Sequence, residues 1–277
     1  MPDSGAIKPQ PPARNPLTET MPFKTAFSLL SPAGTRARLS ILIFHRVLAA
    51  PDPLFPDEVD ARRFDEMMGW VARWLNVLPL DEAVVRLQAG TLPERAAAIS
   101  FDDGYADNYT LALPILQRHG LTATFFIASG FLDGGRMWND SLIEAVRAPP
   151  VTTLETGLAA LPQFDLTTQE QRRQALQQLI PAVKHLPPLE RAQAVERIAN
   201  RCAVRLPDDL MMTTEQLRGL QRAGMQIGAH TLSHPILATS SEIDARHEIA
   251  ASKQQLESLL DQPITLFAYP NGKPGQD

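Results

Sequence analysis

Cysteine is nearly missing from this chain: Cys202 is the only one in 277 residues, which excludes a disulfide framework and a cysteine-ligated zinc site. Basic charge is not in excess either. Lys and Arg number 26 against 31 Asp and Glu, for a net charge of −5, and a nucleic-acid binder would instead show a basic patch. Apolar runs such as "ATFFIA" (123–128) fall far short of the ~18 residues that a membrane-spanning helix needs, so no integral membrane segment is expected. The opening "MPDSGAIKPQPPARNPLTETMPF" is rich in proline and polar residues and has no apolar signal core. Residues 1–37 therefore read as a disordered lead-in, and a cytoplasmic location is the default expectation.

The apolar fraction, 44 %, is ordinary for a chain with a sizeable core. The length suits one large domain or two modest ones, and a single α/β barrel fits. Five short apolar segments stand out: "SILIF" (40–44), "RAAAIS" (95–100), "TATFFIA" (122–128), "MQIGAH" (225–230) and "ITLFAY" (264–269). Helical patterns lie around 61–75, 81–89, 107–119, 213–223 and 241–260, the last opening with Ser241 and Asp244 in capping-box spacing. Unbroken apolar strands alternating with helices predict a mainly parallel sheet covered on both faces, closing into an irregular barrel of the TIM type over 38–277. Between 138 and 212 no strand signal is found. Leu176, Leu179, Ile180 and Val183, then Val195, Ile198, Ala199 and Cys202, fall at helical spacing. A helical hairpin turning at "HLPPLE" is expected there, packed on the side or rim of the barrel, with Cys202 as plain core.

Chemistry-bearing residues gather at two strand ends, where parallel α/β folds place their sites. "ISFDDGYADNY" (99–109) sets Asp102 beside Asp103. A turn at Gly104 would free both from the strand's alternation, and two acids in one cavity need a positive partner such as a metal ion. "GAHTLSHP" (228–235) supplies His230 and His234. Pro235 and the lack of a nearby glutamate argue against a helical zincin motif. One carboxylate and two imidazoles leave an open position, the pattern of a catalytic zinc-type site, and free the second aspartate to take a proton from attacking water.

These motifs, with "FAYPNG" (267–272), resemble the polysaccharide deacetylases with a NodB homology domain, carbohydrate esterase family 4. "SFDDGY" is similar to the family's first motif, "HTLSH" to its second and "FAYPNG" to its third. The resemblance implies a distorted (β/α) barrel, a divalent metal such as zinc, and an N-acetylated glycan as substrate. It implies that Asp102 is the general base, that Asp103, His230 and His234 are metal ligands, and that backbone near Asn271 holds the oxyanion, with Tyr269 and Pro270 at that corner. Two departures stand out. Ala268 occupies the place of an arginine that orients the base in many members, and the chain stops at "NGKPGQD" before the family's Leu-x-His general acid. A C-terminally truncated barrel is therefore expected, with little turnover.

His45, after "ILIF", faces the same barrel mouth, and Trp138 in "RMWND" is a candidate sugar contact. Two rival readings stay open: a non-catalytic glycan-binding module, and an iron oxygenase using the two histidines and a carboxylate as a facial triad. Oligomeric state is not legible.

Overall fold

The computed structural model describes residues 24–272. Strands β1 (Ser40–Phe44), β3 (Ala96–Phe101), β4 (Thr124–Ile127) and β7 (Gln226–Ala229) lie side by side in that order, all parallel. The two-residue β2 (Asn76–Val77) pairs with the start of β3. Every residue of β3 is buried. Its run of three alanines, weak in strand propensity, works because both faces are covered and neighbours approach closely.

The sheet ends on an aromatic floor. Register places Phe44 opposite Phe101, and Phe101 opposite Phe125. The ring centroids stand 5.4 and 4.8 Å apart. Phe64, from helix α1 (Ala61–Trp74), meets Phe44 edge-on at 5.2 Å. Stacking of this kind adds about 0.5–1.5 kcal/mol per pair beyond burial, and the floor lies one residue below Asp102.

Helix α1 starts where the Asp60 carboxylate accepts from the Arg63 N–H. After α2 (Leu80–Gln88) and β3, a π-turn over Asn108–Ala112 runs into α3 (Leu113–Arg118). The 138–212 segment follows β4. It holds α4 (Trp138–Arg147), an antiparallel pair β5 (Thr153–Leu158) and β6 (Leu161–Asp165), and the helices α5 (Gln169–Lys184) and α6 (Pro188–Cys202). Then come α7 (Thr214–Arg222), with a Thr213/Gln216 capping box, and α8 (Glu242–Leu260), capped by Ser241.

Three expectations need correction. The segment 138–212 is not purely helical: β5 alternates exposed and buried residues, Leu154 and Thr156 inward, so its strand pattern is legible after all. The pair forms its own two-stranded sheet and takes no place in the main one. The helical stripes also find their partner surface mostly within the segment. Leu142, Leu154, Leu176, Leu179, Val195, Ile198 and Cys202 form a separate buried cluster, joined by Leu54 from the loop after β1. Burial pushes the Cys202 thiol up to about 11, as an inert core cysteine requires.

Second, "ITLFAY" is no strand. Phe267 makes a single bridge to Ala229, with Leu266 and Ala268 bonded to the same residue. Pro263 and Pro270 bracket the stretch and limit a longer ladder. Third, order begins before residue 38. Residues 24–30 are helical, Gly34–Arg36 form a 3-10 turn, and Phe27 sits 6.2 Å from the Trp74 ring. The remainder of the expected lead-in, 1–23, lies outside the described residues, as do 273–277. Among the described residues β1 has a strand partner on one edge alone, and no helix is long and apolar enough to cross a membrane.

Candidate metal centre

Strand β3 delivers Phe101 to the core and its pairing persists for one more residue, the Asp102 N–H donating to Phe44 O at 2.9 Å. The chain then turns sharply. The turn starts at Asp103 itself, with φ 77°, and continues through Gly104, with φ 92°; it was expected at Gly104. Glycine is required at 104, because that φ is strained for any side chain and a Cβ there would press on Ile127 at 3.3 Å. The Asp103 side chain is thereby swung inward and buried.

From the far side of β4, strand β7 ends at Ala229, and His230 donates its N–H to Ile127 O at 3.0 Å. The His230 ring Nδ1 lies 2.9 Å from Ala268 O. Donating from Nδ1 leaves the Nε2 lone pair facing Asp103 Oδ1, 3.5 Å away. His234 Nε2 is 3.2 Å from the same oxygen. Reaching this position requires left-handed backbone at Thr231 (φ 67°) and His234 (φ 54°), costly for a β-branched threonine. What holds the loop is Glu248 on α8. Its Oε2 accepts from Leu232 N–H (2.8 Å) and Ser233 N–H (2.9 Å), and Ser233 Oγ donates to Oε1 at 2.6 Å. If the cluster holds a divalent ion, Glu248→Ala should weaken its binding about tenfold, with Glu248→Gln recovering part of the loss. Zinc titration with a competing chelator reads this out, and wild-type affinity in the alanine variant would show that the loop holds without it.

Ligand atoms from Asp103, His230 and His234 all lie within 4.8 Å of one another. Asp103 Oδ1 is buried with no hydrogen-bond partner. A buried anionic oxygen in that state is costly unless a cation answers it. The donor set therefore fits a divalent ion. Burial pushes the Asp103 carboxyl up, but the facing His230 and His234 imidazoles outweigh it and hold it below the usual carboxylate range. His230 shows the reverse: burial lowers it, and Asp103 and Asp102 raise it above its ordinary value. Asp102 is half-buried, and its carboxyl is raised, first by burial and then by Asp103, against the pull of His230, His45 and His234.

Behind the cluster stands a network that the sequence did not reveal. Tyr105 Oη donates to Asp140 Oδ1 at 3.0 Å. The Arg46 guanidinium lies 4.6 Å over the Tyr105 ring and pairs with Asp107 at 2.8 Å. Burial, partly offset by the Tyr105 bond, pushes the Asp140 carboxyl up to about 6. A carboxyl raised on folding favours the fold below its ordinary value and loses that advantage as pH rises through 6. Asp140→Asn, which keeps the acceptor for Tyr105, is thus expected to match wild type near pH 4 and to be about 1–3 kcal/mol more stable above pH 7. Denaturant melts across that range check it; a pH-independent gap would refute the assignment.

Of the remaining expected residues, Asn271 (φ 62°) lines one cleft with Asp103, His234 and Trp138. Tyr269 and Pro270 do not. Tyr269 is exposed and stands edge-on to Phe267 at 5.0 Å, and Pro270 is buried. The third motif thus places Ala268 O on His230, Asn271 in the cleft, and its tyrosine outward. His45 is exposed, its carbonyl accepting from Asn108 Nδ2 at 2.9 Å, yet it is close enough to bias both aspartates.

The sequence model described as polysaccharide deacetylase matches residues 89–185 and 191–277. A protein of Bacillus subtilis (strain 168) named "Putative polysaccharide deacetylase YxkH" is 30 % identical over 239 residues, covering 86 % of this chain and 58 % of that protein. The chain thus spans a little over half the length of that relative. Among solved structures, the Streptococcus pyogenes deacetylase PplD in complex with acetate aligns with TM-score 0.54 at 19 % identity, over 86 % of this chain and 76 % of that one. A de-N-acetylase from Aggregatibacter actinomycetemcomitans aligns with TM-score 0.52 at 19 % identity, over 85 % and 80 %. At that identity the two structures speak to the fold.

Proposed function

Because this chain belongs to the polysaccharide deacetylase family, with the NodB-type α/β fold, we propose that it hydrolyses the acetamide of N-acetylated sugars in a glycan, at a divalent metal held by Asp103, His230 and His234. The observation that carries this reading is the buried, unpartnered Asp103 oxygen facing two imidazoles, with a second carboxylate beside it. Zinc suits a donor set of two imidazoles and one carboxylate. When bound, such an ion polarises the acetamide carbonyl and makes water a better nucleophile at neutral pH.

The chain's own residues do the rest. Asp102 takes the proton of the attacking water on its carboxylate, which no protein group among the described residues hydrogen-bonds. Its raised basicity favours that transfer. Asn271, at the cleft wall, offers backbone N–H to the oxygen that gains charge as water adds. Ala268 O fixes the His230 tautomer, and Glu248 fixes the loop that carries His234. We read 38–277 as one unit, with 138–212 as an insertion that lends the cleft Trp138, Ile180, Lys184 and Arg191.

Acetate release from a panel of N-acetylated and O-acetylated oligosaccharides, with zinc and after chelation, tests the reading. Release from the N-acetylated set, lost on chelation and restored by zinc, is expected. Sugar binding without release under any metal would favour a glycan-binding module.

A further inference from the structure

The cleft beside the metal centre, about 180 Å³, has two walls of different origin. Asp103, His234 and Asn271 form one; Trp138, Ile180, Lys184 and Arg191 of the 138–212 insertion form the other. Lys184 closes α5 and Arg191 opens α6, so the turn between those helices sets two cations at the cleft. Among the described residues neither has a carboxylate within ion-pair reach. The Arg191 guanidinium gives one hydrogen bond, to Lys184 O at 3.1 Å, and lies 5.2 Å over the Trp138 ring. Burial alone acts on it, lowering it, and no acid offsets that. Two half-buried cations without a counterion are held at a cost, which an anionic ligand would offset.

A second cavity, about 430 Å³, continues past the same two side chains toward His247 and Glu248. Glu248 is already engaged by the His234 loop, and Asp244 by Ser241. Neither carboxylate makes an ion pair with Lys184 or Arg191, and on the Trp138 side the two cations share the cleft with Asn271 and the Asp103/His234 cluster. There the Arg191 guanidinium lies over one face of the Trp138 ring, which helps to hold it at the cleft.

We propose that Lys184 and Arg191 form an anion subsite, so that the preferred substrate is a glycan carrying a carboxylate or phosphate close to the acetylated sugar. This rests on the deacetylase reading, and it adds a selection that the metal centre itself does not make. Charge-assisted hydrogen bonds from a stacked guanidinium and a lysine give roughly 10- to 100-fold discrimination.

The test compares the zinc-loaded full chain with Lys184→Gln, Arg191→Gln and Arg191→Lys. Substrates are a neutral N-acetylglucosamine oligosaccharide and two analogues whose neighbouring sugar bears a carboxylate or a phosphate. Wild type should favour an anionic analogue by kcat/KM. Each glutamine variant should shrink that preference about tenfold or more, through KM, while Arg191→Lys keeps part of it. Added salt should erode it as well. The analogue with the larger preference identifies the anion. Equal kcat/KM for neutral and anionic substrates in wild type would overturn the proposal, as would a preference untouched by either glutamine variant.

Calorimetric binding of the same analogues separates the two readings. Anion-dependent binding that needs Lys184 and Arg191, without acetate release, would leave the subsite standing and remove the deacetylase assignment. Acetate release with no anion preference would do the opposite.

Discussion

Asp102→Asn is expected to bind zinc as wild type does and to release acetate about 10²–10⁴-fold more slowly, the usual worth of a general base. The substitution keeps shape and polarity at a half-buried position and disturbs no hydrogen bond of the side chain among the described residues. Its backbone N–H, bonded to Phe44 O, is unaffected. What disappears is the ability to accept a proton. The slow rate should also lose the acidic limb of its pH profile, because the group that titrates there is gone. Purified variant assayed for zinc content and for kcat across pH decides the matter. Wild-type rate would remove Asp102 from the mechanism, whereas loss of zinc would make it a ligand.

Asp103→Ala should have the larger effect on the metal. It removes the single anion among three ligands and leaves two imidazoles facing each other at a ring distance of 4.9 Å. Zinc affinity is expected to fall by at least about 100-fold, since losing a ligand costs more than the 10–100-fold seen for outer partners. Activity should fall with it. The backbone adds to the loss, because Asp103 stands at φ 77° and alanine tolerates that region less well than aspartate, so Asp103→Gly separates lost ligation from added turn strain. Both variants should lack zinc. If both hold wild-type metal, the two aspartates merely cap a turn and the proposed centre fails.

The contrast between neighbouring residues shows how much was legible beforehand. The apolar segments at 40–44, 95–100, 122–128 and 225–230 correspond to strands, and the acidic and histidine motifs after them converge on one cluster, because strand ends in a parallel sheet share one edge. The rest was hidden for specific reasons. Glu248 holds the His234 loop from helix α8 through backbone N–H groups, which leave no mark in a motif. Arg46 and Tyr105 meet Asp140 only through packing between distant segments. Lys184 and Arg191 look like ordinary surface charges until the fold brings them to the cleft wall. The turn at Asp103 escaped because aspartate enters left-handed backbone less readily than the glycine behind it.

The sheet order carries a further consequence, in time instead of space. Asp103 leaves β3 and His230 leaves β7, and β4 stands between them. The entire 138–212 segment is threaded through the chain that separates them. That segment has its own buried cluster, built largely from residues close in sequence, whereas the cradle needs a loop from 103 to 230 to be closed. Local contacts form first and long closures last. The insertion can thus become compact while Asp103, His230 and His234 are still apart, because those three meet only when β4 is paired with both β3 and β7. An ion held there as proposed would stabilise the fully paired sheet over any state in which the three ligands are still apart.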